Sequence, residues 1–506
     1  MKFITYDLGT GGVKASLYDE HLNTLGKSFI AYTTSYPHPN MHEQRPEDWW
    51  KGVQDSTSAL MSHCGTSADE IGCVALSGHS CVAVPLDNHL QLLTEYVPIW
   101  SDTRAEKETD DFFTRIDREK WYMITGNGFP APCYSIFKLM WLKDNKPDVY
   151  AKIYKVVGSK DYINLRMTGR VMTDFSYASS TGVYDLKEKT IREDLLDATG
   201  ISRDIFPEIV PSHTIVGSLR PEAAASLGLT TKTLVACGGV DNACMALGTV
   251  GDTDGAVYVS LGSSSWIPVN SREPVLDAKT KPYVFAHIAD NMYTSAYSIF
   301  AGGSSFAWIK EELCKDLPEE GIYAEMDKRA AKVPVGSRGV LFNPSLAGGT
   351  SQDKSIHIHG AFLGLHLGTT RDDMIRAAME GIALNLKYSL ELLKKKVPVS
   401  DELTFTGGGS KSSVWMQMFA DIFNLNIIKK NIDQDAASFG AAAICKVACG
   451  EWNDYSRINT LVKITNRFTP NVQACSEYEK LYGIFLKASD MLSEFGDIMD
   501  AEMQEG

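Results

Sequence analysis

CGGVDNACMALG, residues 237–248, decides how this chain is read. The apolar run Thr233 to Ala236 leads into it, and Gly238-Gly239 lets the backbone turn where a side chain would obstruct. Asp241 follows two residues later, then Asn242 and an Ala-rich segment with helical character. The pattern predicts strand, turn and helix, with one carboxylate at the mouth of a cleft beside a helix N-terminus. A carboxylate so placed can take a proton from a substrate hydroxyl. The stretch alone serves an Asp that merely caps the next helix equally well, so the decision comes from elsewhere in the chain.

Working outward, the same device recurs. Residues 2–8 (KFITYDL) are strand-like, Gly9 to Gly12 form a Gly/Thr turn, and Gly12 to Tyr18 resumes an alternating strand. Backbone N–H groups of such a hairpin can point at an anion, and Asp7 would stand beside that anion and could hold a hydrated cation on it. Gly255 to Val269 (GAVYVSLGSSSWIPV) repeats strand, Gly/Ser turn, strand about half a chain later. That echo predicts an internal duplication. LTFTGGGS (Leu403 to Ser410) is again a strand running into glycines, followed by a helix through Trp415 to Phe423. A glycine-rich turn opening a helix lets backbone approach a nucleotide closely. The four turns near Thr10, Gly239, Ser263 and Gly408 include neither a GxxxxGK[ST] loop nor a GxGxxG fingerprint. Two opposed hairpins with a carboxylate between them meet the needs of phosphoryl transfer: charge neutralisation, alignment and one base.

Between these turns, HEQRPEDWW (His42 to Trp50) places Pro46 at a helix start with Glu47 and Asp48 in its first turn. Residues 105–232 read as helical patterns alternating with loops. Thr370 to Leu393 reads as one long amphipathic helix behind a Thr-Arg-Asp-Asp cap.

Composition narrows the function classes. A chain of 506 residues is long enough for two or more cores. A formal net charge of -14 argues against a general nucleic-acid binder, which needs basic surface. No apolar run is long enough to span a bilayer, and Asp7 interrupts the N-terminus too early for a secretory signal. The ten cysteines form no CxxC pair and join no His or carboxylate cluster at zinc spacing. A reducing cytoplasmic location is the expectation.

DLGTGGVK (Asp7 to Lys14), EQRPEDWW, GGVDNA (Gly238 to Ala243), SLGSSS (Ser260 to Ser265), AGGSSFAW (Ala301 to Trp308) and GGGSKSSVWMQMFAD (Gly407 to Asp421) together resemble the FGGY family of carbohydrate kinases, over nearly the whole length. The resemblance implies an α/β fold of two ribonuclease H-like lobes, in the actin-like ATPase superfamily, with a central catalytic cleft. Residues 1–247 would form the lobe holding the sugar and the base, and residues 248–506 the nucleotide-binding lobe. It implies a kinase that moves the γ-phosphate of ATP, with Mg2+, to a hydroxyl of a sugar or polyol. A ketopentose such as D-xylulose leads; another polyol, aldonate, deoxysugar or signalling sugar is the alternative, and a non-catalytic nucleotide-binding scaffold stands behind both. The partners implied are the sugar and ATP, and family habit points to a homodimer.

Carried over by position, Asp241 matches the general base and Asn242 should touch the sugar. Asp7 matches the acid near magnesium, and Thr10 and Lys14 match phosphate-side positions. Gly262, Ser263 and Ser264 match the second phosphate hairpin, while Gly303, Gly407, Gly408 and Ser412 match positions around the nucleotide. One run departs. After Gly78 the xylulose-kinase members carry Gln-Met-His-Gly and the glycerol-kinase members Gln-Arg-Glu, whereas this chain carries His79, Ser80, Cys81, Val82. Ser80 and Cys81 therefore occupy the sugar-contacting positions without the imidazole or the Arg-Glu pair.

Overall fold

The protein is described here by a computed structural model covering residues 1–432 and 435–504. Its frame is two seven-stranded sheets. The first is built from β1 (Lys2–Gly9), β2 (Gly12–Tyr18), β3 (Thr24–Ala31), β4 (Ile71–Gly78), β5 (Ile215–Ser218), β6 (Leu234–Ala236) and β7 (Gly239–Val240). The second is built from β8 (Val257–Leu261), β9 (Ser265–Ser271), β10 (Tyr283–Ala286), β11 (Tyr293–Ile299), β12 (Glu402–Thr406), β13 (Asn426–Lys430) and β14 (Ile464–Phe468).

The duplication expected from the echo is visible in the pairing. Read as β3-β2-β1-β4-β6-β5, the first sheet pairs antiparallel, antiparallel, parallel, parallel, antiparallel. Read as β11-β9-β8-β12-β13-β14, the second repeats that series, with β10 added at its edge. The central strands β1 and β4 are almost wholly buried, as their near-continuous apolar runs require, while β3 alternates half-buried and exposed residues as an edge strand does.

Eight helices set the site: α1 (Pro46–Cys64), α2 (Ser135–Asn145), α3 (Ser159–Thr168), α4 (Asp241–Val250), α5 (Gly302–Leu313), α6 (Arg371–Lys394), α7 (Ser413–Phe423) and α8 (Ala436–Ala448). Helix α1 starts at Pro46 with Glu47 and Asp48 in its first turn and stops at Gly65, which holds φ 57°. Helix α6 is capped by Thr370, whose side chain exchanges hydrogen bonds with Asp373.

The lobes are not simply the two halves of the chain. Helix α8 follows a strand of the second sheet, yet Ala441 to Cys445 join Phe3, Cys73 and Ala75 of the first sheet in one core. Helix α4 follows the first sheet, and its Ala246 and Val250 pack with Tyr258 of the second. The two helices cross through glycines. A Cβ on Gly248 would lie 1.9 Å from the Ala436 carbonyl oxygen, and one on Gly440 2.1 Å from that of Cys244. The boundary expected between residues 247 and 248 thus falls inside α4. On another side the edge strand β10 is covered by the first lobe: Val284 N–H donates to the Gly126 carbonyl at 2.8 Å and Ala286 N–H to Ser179 Oγ at 3.2 Å.

Residues 105–232, read from sequence as helices and loops, also contain strands, among them Lys155–Val157, Met172–Asp174 and β5. These runs are three or four residues long, too short to show alternation. Among the described residues no helix is long and apolar enough to cross a membrane.

Candidate active site

The acids sit at the carboxyl ends of β1 and β7, where open α/β sheets present ligands. Ser77 of β4 lies opposite Asp7, and its hydroxyl donates to Asp7 Oδ1 at 2.9 Å. Lys14, facing Asp7 across the hairpin, holds its ammonium 3.8 Å from Oδ2. Burial lifts the Asp7 carboxyl above its ordinary range, with Lys14 and Ser77 opposing that rise.

Asp241 is the first residue of α4, and the capping position belongs to Val240. Its carboxylate thus lies in the first turn of the helix, where a negative charge is favoured. Its Oδ1 accepts the adjacent Asn242 N–H at 2.8 Å. Burial, and then the negative charge of Asp7, push its carboxyl up to about 7. The Asp241 charge reaches both Tyr258 of β8, in the second sheet, and Cys81, past the end of β4 in the first. A carboxylate tuned near neutrality is ionised often enough to accept a proton and basic enough to keep it.

Ser80 and Cys81 lie just past β4, both buried. Cys81 holds φ 58°, a left-handed conformation uncommon for a residue with a Cβ. Two contacts hold it there. Its N–H donates to Ser180 Oγ at 3.2 Å, and its carbonyl accepts from the buried Lys138 ammonium at 2.9 Å. The same ammonium reaches the Ile99 carbonyl at 2.6 Å, tying this run to the segment carrying Trp100. His79 turns elsewhere, edge-on to Trp49 at 6.3 Å between ring centres, and burial lowers its imidazole to about 4.

The first hairpin is braced on several sides. Gln44 Nε2 donates to the Thr10 carbonyl at 2.8 Å, Trp100 Nε1 to Thr10 Oγ1 at 3.1 Å, and the Tyr32 hydroxyl to the Gly9 carbonyl at 2.6 Å. Lys14 also meets Asp435, at 3.4 Å, just before α8.

The residues expected around the nucleotide gather at the second hairpin. Leu261 pairs with Ser265, leaving Gly262, Ser263 and Ser264 as the loop, with both loop serines exposed. The start of α5 seats this loop: Gly303 N–H donates to the Gly262 carbonyl at 2.8 Å and Ser304 N–H to that of Ser263 at 2.9 Å. A Cβ on Gly303 would lie 2.2 Å from the Gly262 oxygen. Gly302 and Gly303 open this helix as part of its first turn. Gly407, at φ 88°, packs on the Leu261 backbone, whereas Gly408 is exposed with no atom within 4 Å of where its Cβ would be. Ser412 caps α7 by accepting the Trp415 N–H at 3.0 Å.

Several groups at this site escaped the sequence reading: Ser77, Asp435, Trp100 and three buried cations. Arg104 forms a forked pair with Asp102 and meets Glu43 at 2.7 Å. Lys138 has the two carbonyl partners above, and Lys160 sits in a buried ion triad. A Lys in a sequence reads as surface; only its burial marks it, and burial is not written locally.

Two like-folded α/β lobes, with acids on the turns of one and glycines and serines on the turns of the other, define a two-lobed phosphotransferase with the actin-like ATPase fold. The chain matches the FGGY family of carbohydrate kinases in both parts, its N-terminal domain over residues 3–248 and its C-terminal domain over residues 257–449. It belongs to that family and is a carbohydrate kinase, with a sugar and ATP as substrates. A xylulose kinase of Bacillus subtilis (strain 168) is 31% identical over 493 residues, covering 96% of each chain. Ligand-bound xylulose kinase from Lactobacillus acidophilus superposes with a TM-score of 0.90 at 26% identity, covering 97% of this chain and 98% of that one. Gluconate kinase from the same organism gives the same TM-score of 0.90, identity of 26% and coverages of 97% and 98%.

Proposed function

We propose that the enzyme phosphorylates a hydroxyl of a neutral ketopentose such as D-xylulose, with Asp241 as general base. The observation that carries the catalytic part is the Asp241 carboxyl, at the start of α4, raised to about 7 by burial and Asp7. In this reading Asp241 takes the proton of the attacking hydroxyl, and Asn242, Ser80 and Cys81 orient the sugar. Thr10 and Lys14 attend the transferring phosphate. Gly262, Ser263, Ser264, Gly303, Gly407, Gly408 and Ser412 shape the nucleotide side. The lobe built on the first sheet would thus carry sugar and base, and that built on the second sheet the nucleotide.

A magnesium ion suits the donor set. Burial and then the negative charge of Asp7 raise the Asp241 carboxyl, and the Lys14 ammonium lies 3.8 Å from Asp7. Among the described residues no group of three or more His, Cys, Asp or Glu forms a metal cage. Mg2+ characteristically takes one or two carboxylates together with substrate phosphates, which makes Asp7 its protein contact here. When bound, it neutralises charge on the phosphates.

The likeness to a gluconate kinase makes an aldonate the rival substrate. An aldonate carboxylate needs a cation; Lys138, beside Cys81, is engaged by two carbonyls, and Arg104 by Asp102 and Glu43. Breaking the Arg104 pairing would leave the buried Asp102 without its cation, which costs more than a new contact returns, and Lys138 places two of its three N–H donors on the carbonyls of Cys81 and Ile99. The neutral sugar is therefore preferred. The test is ADP release with Mg-ATP over ketopentoses, polyols, aldonates and deoxysugars. D-Xylulose should give the highest kcat/KM; gluconate ahead of every ketose would overturn the substrate.

A further inference from the structure

Beneath Asp241 lies a buried polar assembly that touches neither hairpin. Lys160 of α3 is fully buried and pairs with Asp161 at 2.5 Å and with Asp174 at 3.0 Å. Asp174 Oδ2 accepts from Ser176 Oγ at 2.5 Å and from Ser212 Oγ at 2.8 Å. Ser176 Oγ in turn accepts the Val240 N–H at 2.9 Å. The Cys237 carbonyl takes Asn164 Nδ2 at 2.8 Å and, more distantly, the Lys160 ammonium at 3.4 Å. Gly238 N–H donates to the Ser212 carbonyl at 2.9 Å, and a Cβ on Gly238 would lie 2.2 Å from the Leu76 oxygen.

The contacts of Ser176, Asn164, Lys160 and Ser212 with Val240, Cys237 and Gly238 all end on the turn that delivers Asp241. A buried ion cluster is a poor device for stability, since its desolvation offsets most of its attraction and apolar side chains of like volume often do better. What it supplies is fixed direction. We propose that Lys160, Asp174 and Ser176 are positioning residues for Asp241: the ammonium orients the Asp174 carboxylate, which orients the Ser176 hydroxyl, which holds the Val240 N–H and so the first turn of α4. The chain serves catalysis through the base alone, and therefore rests on the reading of Asp241 given above.

Ser176 is the place to test it, because Ser176→Ala removes one hydroxyl and leaves the ion triad in place. The expected result is a kcat, per nucleotide-binding molecule, lower by about 10–100-fold, with KM for ATP within about twofold of the parent. Ser176→Thr, which keeps a hydroxyl, should recover most of the rate. The decisive comparison is a double-mutant cycle. If Ser176 acts through Asp241, adding Ser176→Ala to Asp241→Asn lowers the residual rate by less than about twofold. An equal loss in both backgrounds, or no loss in the single variant, overturns the proposal while leaving Asp241 as base. Asp241→Asn with parental activity would instead remove the base, and the proposal with it.

Discussion

The two hairpins occupy equivalent places in two sheets of the same topology, yet they are built for different work. The β1–β2 turn is a tight pair, Thr10-Gly11, flanked by Asp7 and Lys14 and strapped by Gln44, Tyr32 and Trp100. The β8–β9 turn is one residue longer, carries no charged side chain, and rests its carbonyls on the first N–H groups of α5. Duplication supplied the frame twice; the charges were placed on one copy only. A fold that joins a base to a polyphosphate gains from this, since acids on both turns would repel the nucleotide.

The comparison breaks most visibly at the acids. Asp241→Asn should lower kcat by about 10²–10⁴-fold while nucleotide binding persists, as read by a coupled ADP assay and by ADP titration. With the carboxyl at about 7, kcat/KM of the parent should rise with pH up to about 7 and level above it. Stability runs the opposite way. The native carboxyl titrates at about 7 and an unfolded one at about 3.9, so the unfolded state loses its proton first as pH rises. The stability this group contributes is complete below about 3.9 and declines until about 7. Asp241→Asn should therefore raise Tm more at pH 8 than at pH 5; an equal gain at both would contradict the raised pKa.

Asp7→Asn comes next. Loss of a group placed against developing charge costs about 10²–10³ in kcat, and the variant should demand more Mg2+ for half-maximal rate. An unchanged magnesium dependence would detach Asp7 from the metal.

The second hairpin should answer through nucleotide binding instead. Gly303→Ala forces a Cβ onto the Gly262 carbonyl, and overpacking of this kind costs about 1–3 kcal/mol. The expected readout is a raised KM for ATP with little change in sugar KM. Ser263→Ala is the smallest change, because an exposed hydroxyl contributes about 0.5–1.5 kcal/mol. KM for ATP should rise by less than about tenfold. If Ser263→Ala proved as damaging as Asp7→Asn, the division of labour between the hairpins would not hold.

Much of the site was readable because its parts are local. Asp7, the Thr10 turn, Gly238-Gly239 before Asp241, and the glycines after β12 lie within a few residues of the strand that presents them. Glycine is required there for reasons the nearby backbone dictates, as at Gly407 with φ 88° and Gly238 with φ 76°. The helix starts at Pro46 and Thr370 were readable for the same reason. The short strands between residues 155 and 218 were not, since three residues carry no period. Lys14 was read as facing phosphate; the fold also sets it against Asp435, from a segment far along the chain.

The sequence by itself determined the strand-and-turn units, their recurrence and the acids at their ends, because turn chemistry and strand burial act over a handful of residues. Tertiary structure alone decided which lobe α4 and α8 would join, that Lys138 and Lys160 would be buried, and that Asp241 would titrate near neutrality. Those outcomes depend on desolvation and on charges brought together from distant segments, and neither exists until the chain has folded.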